Sequence, residues 1–183
     1  MLYSLTLFVH ILGALALFAA FGLEWTSVLR LQRARTADQA REWLSVVSSL
    51  RWIAPAALLI LLLTGGFMTA TTWGGQVWIG VALAALVTIL VVGGALTGPR
   101  MAAIARVTTA EGSSVSMGFQ QRLQDPLLWA SLHVRSAIAV SIIYLMTIKP
   151  ALVGSLLAVG IALMLGIATS MWAQRRMGAV AAA

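Results

Sequence analysis

The sequence predicts an all-α fold, a polytopic transmembrane bundle of five helices with its N-terminus outside and its C-terminus in the cytoplasm. Three observations carry this. Only 9% of the 183 residues are charged and 61% are hydrophobic, whereas a soluble domain carries about 25% charged residues. Such a chain cannot cover a water-facing surface. Its apolar residues gather into five segments, each close to or above the about 20 residues that a helix needs to cross a bilayer core. Ten of the eleven arginines fall between or after these segments on one side only, and the opposite connections carry just Lys149. Basic loops stay in the cytoplasm during insertion, so the asymmetry sets the orientation.

Segment one spans residues 2–29 and has no basic residues before it, so it reads as a retained span rather than a cleaved signal peptide. The basic loop behind it contains Thr36-Ala37-Asp38-Gln39, the form of a capping box. A short helix starting there would show an apolar face of Trp43, Leu44, Val46, Val47 and Leu50 to the cytoplasmic interface. Segment two spans 52–72, with Pro55 in its first turn, where proline is tolerated. A glycine-containing turn leads to segment three, 77–97, which Gly98-Pro99-Arg100 is expected to end. A second cytoplasmic connection, with a short helix before Gly112, reaches Asp125-Pro126 at the start of segment four, 127–148. Lys149-Pro150 makes the second outer turn, and segment five spans 150–172. Residues 1–177 read as one transmembrane domain and 178–183 as a frayed tail.

Aromatic residues place the interfaces independently. Trp25, Trp52, Trp129 and Trp172 fall near the cytoplasmic ends, and Tyr3, Trp73, Trp78 and Tyr144 near the outer ends. The net charge of +7 follows from the one-sided arginines, with attraction to anionic lipid added. It gives no sign of a nucleic-acid partner, since no basic stripe lies on a soluble face. The chain has no cysteine, which excludes disulfides, thiolate metal sites and iron–sulfur ligation. The lipid bilayer is the expected partner and a bacterial cytoplasmic membrane the expected location.

Four ionisable residues lie within the spans: His10, Glu24, His133 and Arg135. A charge at mid-bilayer costs about 2.5–3.5 kcal/mol, so each needs a partner or a role. At 1.5 Å of rise per residue, Glu24 lies roughly 8 Å and Arg135 roughly 12 Å from the cytoplasmic ends of their helices. An ion pair between helices one and four accounts for both; separate snorkelling to the interface is the alternative. His133 shares a stripe with Trp129, Ser136, Val140 and Tyr144, the lining expected beside polar neighbours, a cofactor or a water-filled cleft, with a buried neutral histidine hydrogen-bonded to a serine or carbonyl the alternative. His10 lies roughly 12 Å inside the outer end of helix one. Gly13 and Ala14 beside it leave an open shelf that suits a planar macrocycle next to an axial histidine, or the approach of another helix. The two histidines differ in height by roughly 10 Å if both helices stand upright, which argues against one shared iron unless tilt closes the gap. His10 with Met68 and Met146 is a candidate soft metal site for cuprous copper, with methionine as plain filler the alternative.

Segment five carries Gly154, Ala158, Ala162, Gly166 and Ser170 at intervals of four. Small residues so spaced let a second backbone approach closely, within the bundle or from another subunit in a homo-oligomer or partner complex.

Leu7-Phe8-Val9-His10-Ile11-Leu12-Gly13-Ala14 resembles the first helix of a group of small bacterial membrane proteins. The group includes the copper-resistance protein D family, the HemJ-type protoporphyrinogen oxidases and an uncharacterised family of integral membrane proteins. Leu145-Met146-Thr147-Ile148-Lys149-Pro150 is similar to the Leu-Met-x-x-Lys-Pro of that last family. The resemblance covers about the first thirty residues and the end of helix four. It implies that His10 is a haem ligand, as the first-helix histidine is in the HemJ-type enzymes, and so a haem b cofactor. Those enzymes also use an intramembrane lysine, and the one lysine here, Lys149, stands at a turn. Two functional classes follow: a haem- or metal-binding redox protein using His10, or a non-enzymatic transport or assembly subunit whose polar residues pair or line a path.

Overall fold

Five helical runs long and apolar enough to cross a membrane make up the chain, in a computed structural model that describes residues 1–110 and 116–181. In chain order the helices are α1 (Leu2–Arg33), α2 (Ala37–Leu50), α3 (Ile53–Met68), α4 (Val77–Val92), α5 (Gly98–Ala110), α6 (Met117–Leu123), α7 (Pro126–Ile148) and α8 (Leu152–Ala181). Wider π-helical turns extend α3 through Thr69–Trp73 and join α4 to α5 through Gly93–Thr97. The spans are α1, α3, α4, α7 and α8. Their outward faces carry exposed apolar residues such as Phe8, Leu15, Leu63, Val91 and Leu165, the surface that lipid covers.

Local chemistry explains the element ends. Thr36 caps α2 by accepting from the Gln39 N–H at 3.3 Å, while the Gln39 side chain accepts from the Arg35 N–H at 3.0 Å. This is the reciprocal capping the sequence suggests, shifted by one residue on its return bond. Asp125 caps α7 through the Leu127 N–H at 2.8 Å, with Pro126 in the first turn, where its missing donor costs nothing.

Two expected boundaries differ. Gly98-Pro99-Arg100 does not end the third span: the helix runs on as α5 to Ala110. Proline breaks a regular α-helix by its ring clash and lost donor, and here the wider turn at Gly93–Thr97 lies directly before it. Gly112, which marked the end of the expected short helix, is outside the described residues. At the C-terminus α8 reaches Ala181, whereas the sequence suggested a frayed tail from Gly178; residues 182–183 lie outside the described residues.

Part of the apolar face of α2 packs on the bundle. Trp43, Leu44 and Val47 turn inward onto a cluster of Val28, Leu31, Ile104, Phe119, Leu123 and Trp129. That cluster forms a compact plug at the arginine-rich end. It exists because α1, at 32 residues and thus about 48 Å long, outruns the about 30 Å hydrocarbon core. A second core joins α1, α3, α4 and α7 toward the N-terminal end through Leu17, Phe21, Leu61, Ile89, Ile138 and Leu145.

Helix α7 packs most extensively against α8 and also against α4, while α1 packs against α3. The small-residue stripe of α8 faces α7. A Cβ on Gly166 would lie 2.8 Å from the Val134 Cα and 3.2 Å from the His133 carbonyl oxygen, so the two backbones touch there. Ala162 and Ser170 are buried, and Gly154 and Ala158 are half-buried. The stripe is thus used inside the bundle, and the face of α8 left exposed is the branched one with Leu157, Ile161 and Met164.

Candidate functional site

The described ionisable residues of the spans occupy two places of opposite character. At the arginine-rich half, α7 carries Arg135 and α1 carries Glu24, and their side chains form a salt bridge. The similar depths read from helix rise bring them together. The guanidinium also sits 5.2 Å from the centre of the Phe21 ring. Gly93, at the start of the wide turn, makes the room: a Cβ there would come within 2.6 Å of Arg135 Nη1. Arg135 is 7% exposed, and its Nε has no hydrogen-bond partner among the described residues.

His133 belongs to this same half. Its Nδ1–H donates to the Trp129 carbonyl at 2.9 Å, and its ring meets Trp25 edge-on at a centroid distance of 4.7 Å. Trp25 Nε1 in turn donates to Ser136 Oγ at 2.9 Å. The imidazole is therefore held among indoles and a carbonyl. The stripe expected on its face of α7 does not line a cleft throughout: Val140 is 60% exposed and Tyr144 46%. One aromatic near a helix end satisfies an interface as well as it satisfies a cleft, and Tyr144 takes the interface.

Toward the N-terminal end the helices splay. Between α1, α3, α4 and α7 they leave a cavity of about 620 Å³ with almost wholly apolar walls. His10 and Ala14 line it from α1, Gly65, Gly66 and Met68 from α3, Ile79 and Leu86 from α4, and Ile142 and Met146 from α7. Tyr3, Trp73, Trp78 and Lys149 line its N-terminal end. The cavity thus gathers His10, Ala14, Met68 and Met146, and leaves His133 and Tyr144 outside.

Gly13 also takes a different place from the one expected. A Cβ on it would meet Ile60 Cγ2 at 3.0 Å and Leu61 Cγ at 3.4 Å. The shelf beside His10 on that side is filled by α3, the helix-packing alternative. Room at the imidazole comes instead from Gly65, where a Cβ would lie 3.4 Å from His10 Cε1.

The ring of His10 is oriented by one bond. Its Nδ1 lies 2.7 Å from Thr64 Oγ1, and the Thr64 hydroxyl donates its own proton back to the Ile60 carbonyl. In the tautomer that carries hydrogen on Nδ1, the ring donates to Thr64 Oγ1 while the Thr64 hydroxyl donates to the Ile60 carbonyl. Nε2 then holds the free lone pair of the neutral imidazole. Thr64, Gly65 and Gly66 escaped the sequence reading. The visible signal was a polar-small-small triplet interrupting the Leu58–Leu63 run of helix two.

Comparisons with family models, with curated proteins and with solved structures found no match to this chain. Among the described residues, no group of three or more His, Cys, Asp or Glu could hold a metal ion.

Proposed function

We propose that the protein is a membrane-embedded redox protein that binds haem b in the cavity between α1, α3, α4 and α7, with His10 Nε2 as the axial ligand. The observation that carries this reading is the position of His10, at the wall of the cavity with its Nδ1 2.7 Å from Thr64 Oγ1. Metal-bound histidines characteristically give their other N–H to a neighbour, which fixes the ring and raises the basicity of the ligating nitrogen. Thr64 Oγ1 stands where it can accept that hydrogen from His10. The fit extends to the cavity. Its volume of about 620 Å³ lies within the about 300–1,000 Å³ of cofactor sites. Gly65 lets His10 lie close against α3, and the walls around it are almost wholly apolar. Bound there, haem would supply one-electron transfer. The chain's own contribution is to hold one ring nitrogen unprotonated, aim it and keep the site dry.

A second reading rests on Met68 and Met146 lining the same cavity as His10. Two thioethers and an imidazole suit a cuprous ion. Absorption spectra and metal analysis of protein purified from haem- and copper-replete cells separate the two. A Soret band supports haem; stoichiometric copper without one supports the thioether site. A colourless, metal-free protein ends both and favours a non-enzymatic transport or assembly role.

We further infer the orientation that the arginines suggest, with the N-terminal end of the bundle outside a bacterial-type cytoplasmic membrane. Alkaline phosphatase fused after Gly75 is then active and fused after Gly112 inactive; the reverse pattern overturns it.

A further inference from the structure

The N-terminal end of the cavity carries a cation whose presence the fold does not require. Lys149 is the only lysine of the chain and occupies the residue after α7, at φ 53 and ψ 53. Helix ends usually give this left-handed position to glycine, because a side chain is strained there. As a cap, the position needs only its backbone N–H, which donates to the Leu145 carbonyl at 2.9 Å. The lysine side chain is exposed and takes no part in that cap.

It lies at the cavity. The Lys149 ammonium stands 4.0 Å from the centre of the Trp73 ring, close enough for the ring face to hold the cation in place. Trp73 is itself fixed: its Nε1 donates to the Tyr3 hydroxyl at 3.2 Å, and Trp78 meets it edge-on at 6.1 Å. The Tyr3 hydroxyl, having accepted that bond, keeps its own proton to donate, and no acceptor for it is seen among the described residues. No carboxylate of the described chain balances Lys149. Glu24 is bound to Arg135, Asp125 to Arg100 and Asp38 to Arg41, all toward the arginine-rich end, and Glu42 lies in α2 at that same end.

Behind these two donors the cavity is long and apolar. Its lining on α1 runs from Tyr3 to Phe18, about 22 Å along the helix axis. A cation and a hydroxyl at one end of a narrow apolar cleft complement one kind of molecule. We propose that Lys149 and Tyr3 recognise an acid group, and that the cavity takes a carboxylate-bearing amphiphile with its apolar body laid along α1 past His10. This rests on the preceding reading only in taking the cavity as a binding site. The carboxylates could be those of a prosthetic group such as haem or that of a fatty acid.

The test compares each acid with its ester, which keeps the apolar body and removes the charge. Purified protein is titrated with 9,10-dibromostearic acid or its methyl ester, at a pH where the acid is ionised, and bromine quenching of tryptophan fluorescence is read. Quenching lost in the Trp73→Phe/Trp78→Phe variant is assigned to the cavity end. The acid should bind about tenfold more tightly than the ester, the size of one charge-assisted contact at a partly wet site. The preference should fall to about one in Lys149→Gln and persist in Lys149→Arg. Lys149→Gly should abolish the preference while leaving thermal stability equal or higher, which separates recognition from folding. A parallel titration with haem b and its dimethyl ester distinguishes the source of the carboxylate. Equal binding of acid and ester by the unmodified protein, or a preference that survives Lys149→Gln, overturns the proposal. A missing Soret band removes the haem reading and leaves this one standing.

Discussion

The two halves of the bundle treat their buried ionisable groups in opposite ways. In the arginine-rich half Glu24 and Arg135 neutralise each other, and Phe119, Leu123 and Ile104 fill a plug with no exposed surface. In the N-terminal half the same helices diverge around a cavity, with the buried imidazole of His10 beside one hydroxyl and the exposed Lys149 over Trp73 at the rim. A charge in a low-dielectric medium must find a partner, and the first half supplies it within the chain. The second half instead lines a cavity with His10, Tyr3 and Lys149. Packing in one half therefore reads as stability, and incompleteness in the other as binding.

The largest expected effect lies in the paired half. Removing one member leaves the other charged and buried, a loss of about 3–5 kcal/mol at the dry limit. Glu24 keeps some contact with its surroundings, at 20% side-chain exposure, so the observed loss should fall at or below the lower end of that range. Glu24→Gln and Arg135→Gln should each lower the thermal stability of the detergent-solubilised protein. The double variant should lose less than the sum, because neither charge is then stranded. Strict additivity would show the halves to be less different than described.

The α7–α8 seam comes next. Gly166→Ala places a methyl against the Val134 backbone, which cannot swing aside as a side chain tip would. Overpacking of this kind costs about 1–3 kcal/mol. A stability scan that detects no loss would mean that the seam is looser than its geometry.

Smallest in stability and most specific in function is Thr64→Val, in the open half. It keeps the shape of the side chain and removes the acceptor for His10 Nδ1–H. Loss of such an orienting partner typically weakens ligation about 10- to 100-fold. Haem affinity should fall by that much with little change in melting temperature. Unchanged affinity would mean that the Thr64 bond does not set the tautomer.

The sequence and the structure agree where a short-range rule decides. Five apolar stretches, Thr36 before Gln39 and Asp125 before Pro126 are composition and spacing, and each has one cheap outcome. The Glu24–Arg135 pair was legible for a similar reason: fixed rise per residue turns sequence position into depth. What depends on which faces meet was not legible. Gly13 offered a shelf to a macrocycle or to a helix, and only the approach of Ile60 decides between them. The partner of His10 is 54 residues away, and no local pattern points to it. The passage of the third span through Pro99 depends on a wide turn that shifts hydrogen-bond register without any compositional mark.

The claim that the open half holds a haem on His10 meets its most direct test in a paired spectrum. Wild-type, His10→Ala and His133→Ala proteins are purified from the same haem-replete cells, and the Soret absorbance is read per mole of protein. The account predicts a band in the wild type, its retention in His133→Ala, whose ring is held among Trp25, Trp129 and a carbonyl, and its loss in a folded His10→Ala. A band that survives His10→Ala and disappears with His133→Ala would place the cofactor in the wrong half and contradict the account.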